Sequence, residues 1–175
     1  GFDSSAMSYA GPALIKEWGL KANALGLMLS ANALGLVFGA LVVASAADVL
    51  GRRRVILASL TMITVAMFLT PLVTSVPALW AIRLVTGLGV GALVPSLAVM
   101  VSEYSDKKWG NVLLSSIWVG YAVGSTLVSV VAAETIHLGW RYIFYVAAAM
   151  NAVMLVAGLF VLPESLNFLL ARQPK

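Results

Sequence analysis

The chain has 175 residues, of which 61% are hydrophobic and only 10% are charged, and its mean hydropathy is +0.99. Soluble domains are about 45–50% apolar. A chain this short cannot hide so much apolar surface from water, which excludes a soluble fold. The net charge of +4 does not indicate nucleic-acid binding, because the basic residues stand in turns between apolar segments, and the absence of cysteine excludes disulfides, thiolate metal sites and thiol catalysis.

Apolar segments separated by short polar turns predict an all-α membrane protein with six transmembrane helices, since each span needs roughly 20 residues. The first segment ends near Leu14 and would make only about 21 Å of helix, so we expect its start to be missing. Pro163 cannot continue a helix, so we expect a bundle over 1–162 and a polar cytoplasmic tail over 163–175 that begins a central linker. The other five spans are expected over about 22–47, 55–73, 78–101, 112–133 and 142–162.

The most charged stretch, Asp48-Val-Leu-Gly51-Arg52-Arg53-Arg54, lies between the second and third spans. Each Arg would cost roughly 2.5 kcal/mol or more at the bilayer centre, so this stretch is predicted to be a short aqueous turn. Lys and Arg in short loops favour the cytoplasmic side, which predicts that both chain ends are cytoplasmic. This side would hold Arg52, Arg53, Arg54, Lys107, Lys108, Arg172 and Lys175, against Lys16, Lys21 and Arg141 on the other.

Several spans carry glycines four residues apart, such as Gly87 and Gly91, which share one helix face and favour close approach of a second helix. A dinucleotide-binding loop is the competing interpretation of such glycines, but it needs a preceding strand in a soluble β-α-β unit, which this composition excludes. The glycines are Gly35 and Gly39 in the second span, Gly87, Gly89 and Gly91 in the fourth, and Gly120 and Gly124 in the fifth.

Asp3 and Arg83 are the only ionisable residues that this topology places at membrane depth. Such groups face the bundle interior or a water-filled cavity, and an intramembrane ionisable residue predicts a functional site. A carboxylate that can change protonation suits a proton-coupled carrier, and the forked guanidinium suits a carboxylate substrate. The alternatives are a purely structural ion pair between helices and, for Asp3, a position at a truncated helix end.

Isolated polar and aromatic residues in the spans leave two interpretations open. Asn32 and Asn151 are expected either to hydrogen-bond between helices or to contact a substrate. Tyr9 and Trp118 either line a cavity or serve as packing residues and interface anchors.

These residues resemble motifs of the major facilitator superfamily over the whole chain. The stretch from Asp48 to Arg54 is similar to the loop between helices two and three of that superfamily, and Arg83 with its glycines is similar to the helix-four motif. Glu103, Trp140-Arg141 and Pro163-Glu164-Ser165 resemble the branch of sugar porters and aromatic-acid/proton symporters. Gly1-Phe2-Asp3 resembles the Gly-Phe-Asp signature of the aromatic-acid symporters.

Three positions depart from the family pattern. Ala44 stands where the superfamily usually has Gly, and Trp109 stands where Arg commonly follows helix four. Pro163-Glu164-Ser165 lacks the Pro-Arg that sugar porters tend to place next, which disfavours a sugar substrate.

The resemblance implies the amino-terminal half of a twelve-helix carrier built from inverted three-helix repeats, with substrate bound between two six-helix halves. The carboxyl-terminal half would be missing, so the chain is expected to be a fragment. The full carrier would import a small organic anion with a proton across a bacterial inner membrane, the anion being an aromatic carboxylate such as a hydroxybenzoate. No cofactor, metal or nucleic acid is implied.

The same resemblance assigns roles to residues. Arg83 would hold the anion or help to relay the proton, and Asp3 would be the coupling carboxylate. The cytoplasmic gate would consist of Asp48, Gly51, Arg52, Arg53, Arg54 and Glu103.

Three other functions are weighed against this interpretation. A sugar or other metabolite porter is the nearest, and a six-helix scaffold or sensor that transports nothing is the second. An intramembrane enzyme is disfavoured by the single His, the absence of Cys and the lack of a metal-ligand cluster or of a Ser paired with a base.

Overall fold

A computed structural model describes residues 1–106 and 109–164, apart from the side chains of Ala22 and Asp48, and every regular element in this part is helical. A π-helical segment joins α2 to α3 into one continuous rod, and short 3-10 turns extend α4 and α6, so the seven helices form six rods. The predicted all-α class is confirmed. The helices are α1 (Phe2–Trp18), α2 (Ala22–Phe38), α3 (Ala44–Leu50), α4 (Arg52–Leu69), α5 (Val76–Tyr104), α6 (Gly110–Thr135) and α7 (Arg141–Val161).

Five of the rods are long and apolar enough to cross a membrane. α1 is not among them, because its 17 residues make about 25 Å of helix, less than the roughly 30 Å of hydrocarbon. The five candidate spans are Asn23–Ala47, Arg52–Leu72, Val76–Tyr104, Gly110–Leu138 and Arg141–Val161. They follow the predicted order, with ends that extend a few residues into the expected turns.

The basic stretch forms a tighter connection than the sequence suggested. The prediction that residues 48–54 form a turn outside the helices was wrong. α3 continues to Leu50, and α4 already begins at Arg52. Gly51 alone reverses the chain, with φ 98° and ψ 132°, a backbone conformation that residues with a Cβ rarely adopt. The three arginines therefore occupy the first helical turn of α4, at what we call the basic end of the bundle.

The closest helix pair is α2 with α5, and glycines line both sides of the crossing. A Cβ added to Gly35 or Gly39 would overlap a carbonyl oxygen of α5, and one added to Gly87 or Gly91 would overlap a carbonyl oxygen of α2. The two glycine stripes thus face each other and let the backbones touch, which is how helices associate when all surrounding material is apolar.

Outside this crossing, α4 packs against both α5 and α7. Gly89 of α5 faces α4, where a Cβ would meet Cγ1 of Ile63 at 2.6 Å. α6 packs mainly on α1, and the Ser5 hydroxyl donates a hydrogen bond to Ser125 Oγ across that contact (3.2 Å). The apolar core joins residues of α1, α2, α4, α5, α6 and α7.

Candidate functional site

Asp3 and Asn151 meet inside the bundle, although 148 positions separate them in sequence. The Asn151 amide nitrogen Nδ2 donates to both carboxylate oxygens of Asp3, at 3.0 Å to Oδ1 and 2.9 Å to Oδ2. Asp3 lies in the first turn of α1 and Asn151 at the middle of α7. An amide that spans both carboxylate oxygens fixes the orientation of Asp3 without adding charge.

The pair opens into a cleft, which we call the Asp3 cleft, of about 320 Å³. This size falls within the roughly 300–1,000 Å³ typical of small-molecule sites. Aliphatic side chains of α4, α5 and α7 form most of its wall, and Tyr121 of α6 contributes an aromatic side. A few convergent polar groups in an apolar wall are the usual composition of a binding pocket.

Arg83 is buried, with 1% of its surface exposed, and it does not line the Asp3 cleft. Its Nη2 donates to Thr70 Oγ1 (2.6 Å) and approaches the Met67 sulfur (3.8 Å), and its Cζ lies 4.9 Å from the centre of the Phe144 ring. Nε has no hydrogen-bond partner among the described residues. Arg83 is thus held by neutral groups of α4 and α7, an arrangement that leaves part of its hydrogen-bonding capacity unused.

The two membrane charges share one interior but not one hydrogen bond. Within the described part of the chain, Asp3 is bonded to Asn151 and Arg83 to Thr70, while Asp3 and Arg83 attract each other electrostatically across the bundle. The sequence analysis singled out both charges and, separately, Asn151, but it did not pair Asn151 with Asp3, and it did not single out Thr70. Asn151 carried a signal, as a single amide in an apolar span, whereas Thr70 carried none.

At the basic end, the arginines of α4 tie three helices together. Arg52 Nε lies 3.5 Å from Glu103 Oε1 at the end of α5. The backbone N–H of Arg53 donates to Glu164 Oε1 (3.1 Å), and Arg53 Nη2 donates to the carbonyl of Leu159 in α7 (2.8 Å). A carboxylate at the first N–H groups of a helix satisfies otherwise unpaired donors, so Glu164 caps α4.

Two further contacts complete this end. The Tyr104 hydroxyl donates to the backbone carbonyl of Glu164 (2.6 Å), and a Cβ on Gly51 would lie 3.2 Å from the Glu164 carboxylate. Glu164 entered the sequence analysis only as part of a family motif, and its capping role was missed. Of the predicted gate, the side chain of Asp48 lies outside the described structure. Lys107 and Lys108, which were counted among the cytoplasmic charges, and residues 165–175 of the predicted tail also lie outside it.

The opposite end of the bundle holds a second polar cluster. Arg141 Nη1 donates to Glu17 Oε1 (2.7 Å), Trp140 Nε1 donates to Glu17 Oε2 (2.6 Å), and Arg141 Nε donates to the carbonyl of Pro71 (3.0 Å). The hydrogen bonds from Arg141 and then Trp140 hold the pKa of the Glu17 carboxyl below its ordinary value. The cluster joins α1, α7 and the turn after α4, and sequence reasoning did not pair these residues.

Among the residues that the structure describes, no three His, Cys, Asp or Glu side chains come together as a metal site would require. Among the described residues, the polar groups of the interior are instead one carboxylate, one guanidinium, the amides of Asn32 and Asn151, and hydroxyls. Such a set can bind an organic anion and hold or release a proton.

Comparison with known proteins identifies the family. The model of the Major Facilitator Superfamily matches residues 1–170. The 4-hydroxybenzoate transporter PcaK of Pseudomonas aeruginosa is 35% identical over 173 residues, covering 98% of this chain and 39% of that protein. The gallate transporter of Pseudomonas putida is 31% identical over 174 residues, covering 99% of this chain and 39% of that protein.

Solved structures share the fold. The proton:xylose symporter XylE, bound to 6-bromo-6-deoxy-D-glucose, superposes with a TM-score of 0.87 at 19% identity and covers 98% of this chain and 43% of that chain. The chain thus spans about 39% of the length of the curated relatives that it matches. The helices described here correspond to the amino-terminal half of such a transporter, and the chain belongs to the major facilitator superfamily.

Proposed function

We propose that the chain is the amino-terminal half of a proton-coupled carrier that imports an aromatic carboxylate of the hydroxybenzoate class. The single observation that carries this proposal is the Asp3 cleft, where a carboxylate held by an amide stands in an otherwise apolar cavity at the middle of the bundle. A second six-helix half would close over this cleft, as alternating access between two halves requires.

The interior supports a transport role better than a catalytic one. The Asp3 carboxylate can bind a proton, its partner Asn151 is neutral, and Asp3 is the only acid among the described residues that line the cleft. A proton bound there neutralises the site, so protonation and substrate occupancy are coupled through one charge. Arg83 does not line this cleft, but its positive charge attracts the Asp3 carboxylate and would also attract an incoming organic anion.

Relatives favour the aromatic class. Their printed names describe transporters of 4-hydroxybenzoate and gallate, both of which carry a carboxylate on an aromatic ring. The likeness to the xylose symporter concerns the fold alone, at 19% identity.

The gate at the basic end is part of the same proposal. Arg52 with Glu103 and Arg53 with Glu164 would hold α4, α5 and α7 together as one rigid body while the two halves rock. Asp48 lies in the last turn of α3, and Gly51 follows the end of that helix. We infer that this end faces the cytoplasm of a bacterium, with the carrier in the inner membrane, because the arginines concentrate there.

Uptake by the complete carrier in proteoliposomes tests the proposal. With an imposed pH gradient, alkaline inside, labelled 4-hydroxybenzoate should accumulate above its equilibrium level, and a protonophore should abolish the accumulation. Unlabelled gallate should compete and xylose should not. Uptake that ignores the pH gradient, or that xylose inhibits while gallate does not, would refute the proposal in favour of a facilitator or a sugar porter.

A further inference from the structure

The polar cluster at the end of the bundle opposite the basic end is connected to Arg83. There Glu17 accepts hydrogen bonds from Trp140 Nε1 (2.6 Å) and from Arg141 Nη1 (2.7 Å). The Arg141 Cζ also lies 4.6 Å from the centre of the Trp140 ring. We call Glu17, Trp140 and Arg141 the Glu17 clasp. Two routes of contact lead from the clasp to Arg83, one through aromatic rings and one through the turn after α4.

The first route is a ladder of aromatic rings. The ring centres of Trp18 and Trp140 are 6.2 Å apart with their planes inclined by 86°, and those of Trp140 and Phe144 are 5.8 Å apart at 81°. The Phe144 ring centre in turn lies 4.9 Å from Cζ of Arg83. Aromatic pairs favour this edge-to-face geometry. Trp140 is 2% exposed and Phe144 is fully buried, so close packing keeps both rings in place.

The second route runs along the turn that follows α4. Arg141 Nε donates a hydrogen bond to the carbonyl of Pro71 (3.0 Å). The preceding residue, Thr70, accepts the hydrogen bond from Nη2 of Arg83 (2.6 Å). Thr70 and Pro71 are both buried. A shift of Arg141 therefore reaches the hydroxyl group that holds the guanidinium.

The position of Arg83 depends on these neutral contacts. Within the described structure, its guanidinium bonds to Thr70 and contacts the Phe144 ring, and no carboxylate bonds to it. The attraction to Asp3 varies only gradually with distance, whereas a hydrogen bond requires a narrow range of distance and angle. The hydrogen bond and the ring contact therefore fix where the charge lies. This position determines how strongly the charge attracts an anion.

We propose that Trp140 is a positioning residue for Arg83 and acts through the Phe144 ring. Glu17 and Arg141 hold Trp140 in place. This inference rests on the proposed function, in which Arg83 attracts the anionic substrate. Disturbing the clasp then weakens the affinity for the anion. A purely structural role would instead reduce the amount of active carrier and leave the affinity unchanged.

The kinetics of the complete carrier in proteoliposomes test this role. The measured quantities are KM and the maximal rate per carrier molecule for uptake of labelled 4-hydroxybenzoate. Trp140→Leu removes the ring that faces Phe144 and should raise KM about two- to tenfold, the range that corresponds to one aromatic contact. The maximal rate should stay nearly unchanged. Trp140→Phe keeps a ring against Phe144 but cannot donate to Glu17, and it should restore most of the affinity.

A second variant tests the clasp if Trp140→Leu does not fold. The Glu17 side chain is 42% exposed, so Glu17→Ala releases Trp140 Nε1 and Arg141 without emptying the core. KM should rise about two- to fivefold, up to the most that an exposed ion pair contributes. Glu134→Ala is the matched control, and its KM should stay unchanged. Glu134 is exposed in the last turn of α6, at the same end of the bundle, and within the described structure it makes no hydrogen bond or ion pair with the clasp.

The outcomes separate this inference from the proposed function. Failure of the unmodified carrier to take up 4-hydroxybenzoate overturns both. If the unmodified carrier accumulates the acid, but the Trp140→Leu and Glu17→Ala variants that fold keep its KM, the clasp is only structural and the positioning role alone is wrong. An equal rise of KM in Trp140→Leu and Trp140→Phe would mean that the ring contact with Phe144 carries no effect, which also overturns the positioning role.

Discussion

The crossing of α2 and α5 makes a strong prediction about stability. In Gly87→Ala the new methyl group would overlap the carbonyl oxygen of Asn32, a backbone atom that cannot rotate away. The two helices must therefore separate, and the close contact on both sides of the crossing is lost.

The magnitude follows from two opposing terms. Forcing an extra carbon into a packed interface typically costs about 1–3 kcal/mol. Replacing Gly by Ala in a helix also stabilises it by up to about 1 kcal/mol, because the unfolded chain has less freedom to lose. Gly26→Ala is the matched control, since it lies in α2 and gains the same propensity with no atom within 4 Å. Gly87→Ala should therefore be about 1–3 kcal/mol less stable than Gly26→Ala.

Reversible unfolding of the purified chain in mixed detergent micelles, followed by circular dichroism, measures this difference. Gly89→Ala should fall between the other two variants, because its methyl group meets the flexible Ile63 side chain rather than only backbone. Equal stability of Gly87→Ala and Gly26→Ala would refute the reasoning, since it would mean that the helices do not touch at these glycines.

Three further predictions use the same unfolding measurement. Gly51→Ala should lower the free energy of unfolding by about 1–3 kcal/mol, because φ is 98° there and a residue with a Cβ is strained in that conformation. Unchanged stability would mean that residue 51 does not adopt this conformation. Thr70→Val removes the acceptor of Arg83 and should cost about 1.5–3 kcal/mol, and no loss would mean that Arg83 is held otherwise. The hydrogen bond from Arg141 lowers the pKa of the Glu17 carboxyl in the folded chain. The stability that this pair contributes is therefore present at neutral pH and is lost as the pH falls through the folded pKa. Glu17→Gln should remove that acid-dependent loss, at most about 1 kcal/mol for so exposed a pair, and an unchanged pH dependence would contradict the assignment.

Much of the fold was predictable because lipid imposes a simple rule on sequence. Every span must be an apolar helix of about 20 residues, so the segment order and the all-α class follow from hydropathy. Gly35 and Gly87 were recognisable as packing positions, because glycine in an apolar helix has little other use. Which stripe faces which was not predictable, since each helix can rotate about its axis without changing its sequence.

The partners of the polar residues were the part that sequence could not supply. Asp3 and Arg83 stood out because charge in an apolar span is costly. Their hydrogen-bond partners Asn151 and Thr70 lie on helices far away in sequence, and only the packed structure brings them together. The turn at Gly51 was predicted too long for a related reason, because one residue with positive φ replaced the loop that the charges suggested.

The role of Asp3 is the central claim of this account, and one substitution tests it most directly. Asp3→Asn keeps the shape of the side chain and its ability to pair with Asn151, but it removes the group that can carry a proton. In the complete carrier we expect this variant to lose accumulation of labelled 4-hydroxybenzoate driven by a pH gradient, while exchange of labelled for unlabelled substrate across the membrane continues. Accumulation equal to that of the unmodified carrier would contradict the claim that Asp3 couples proton and substrate movement.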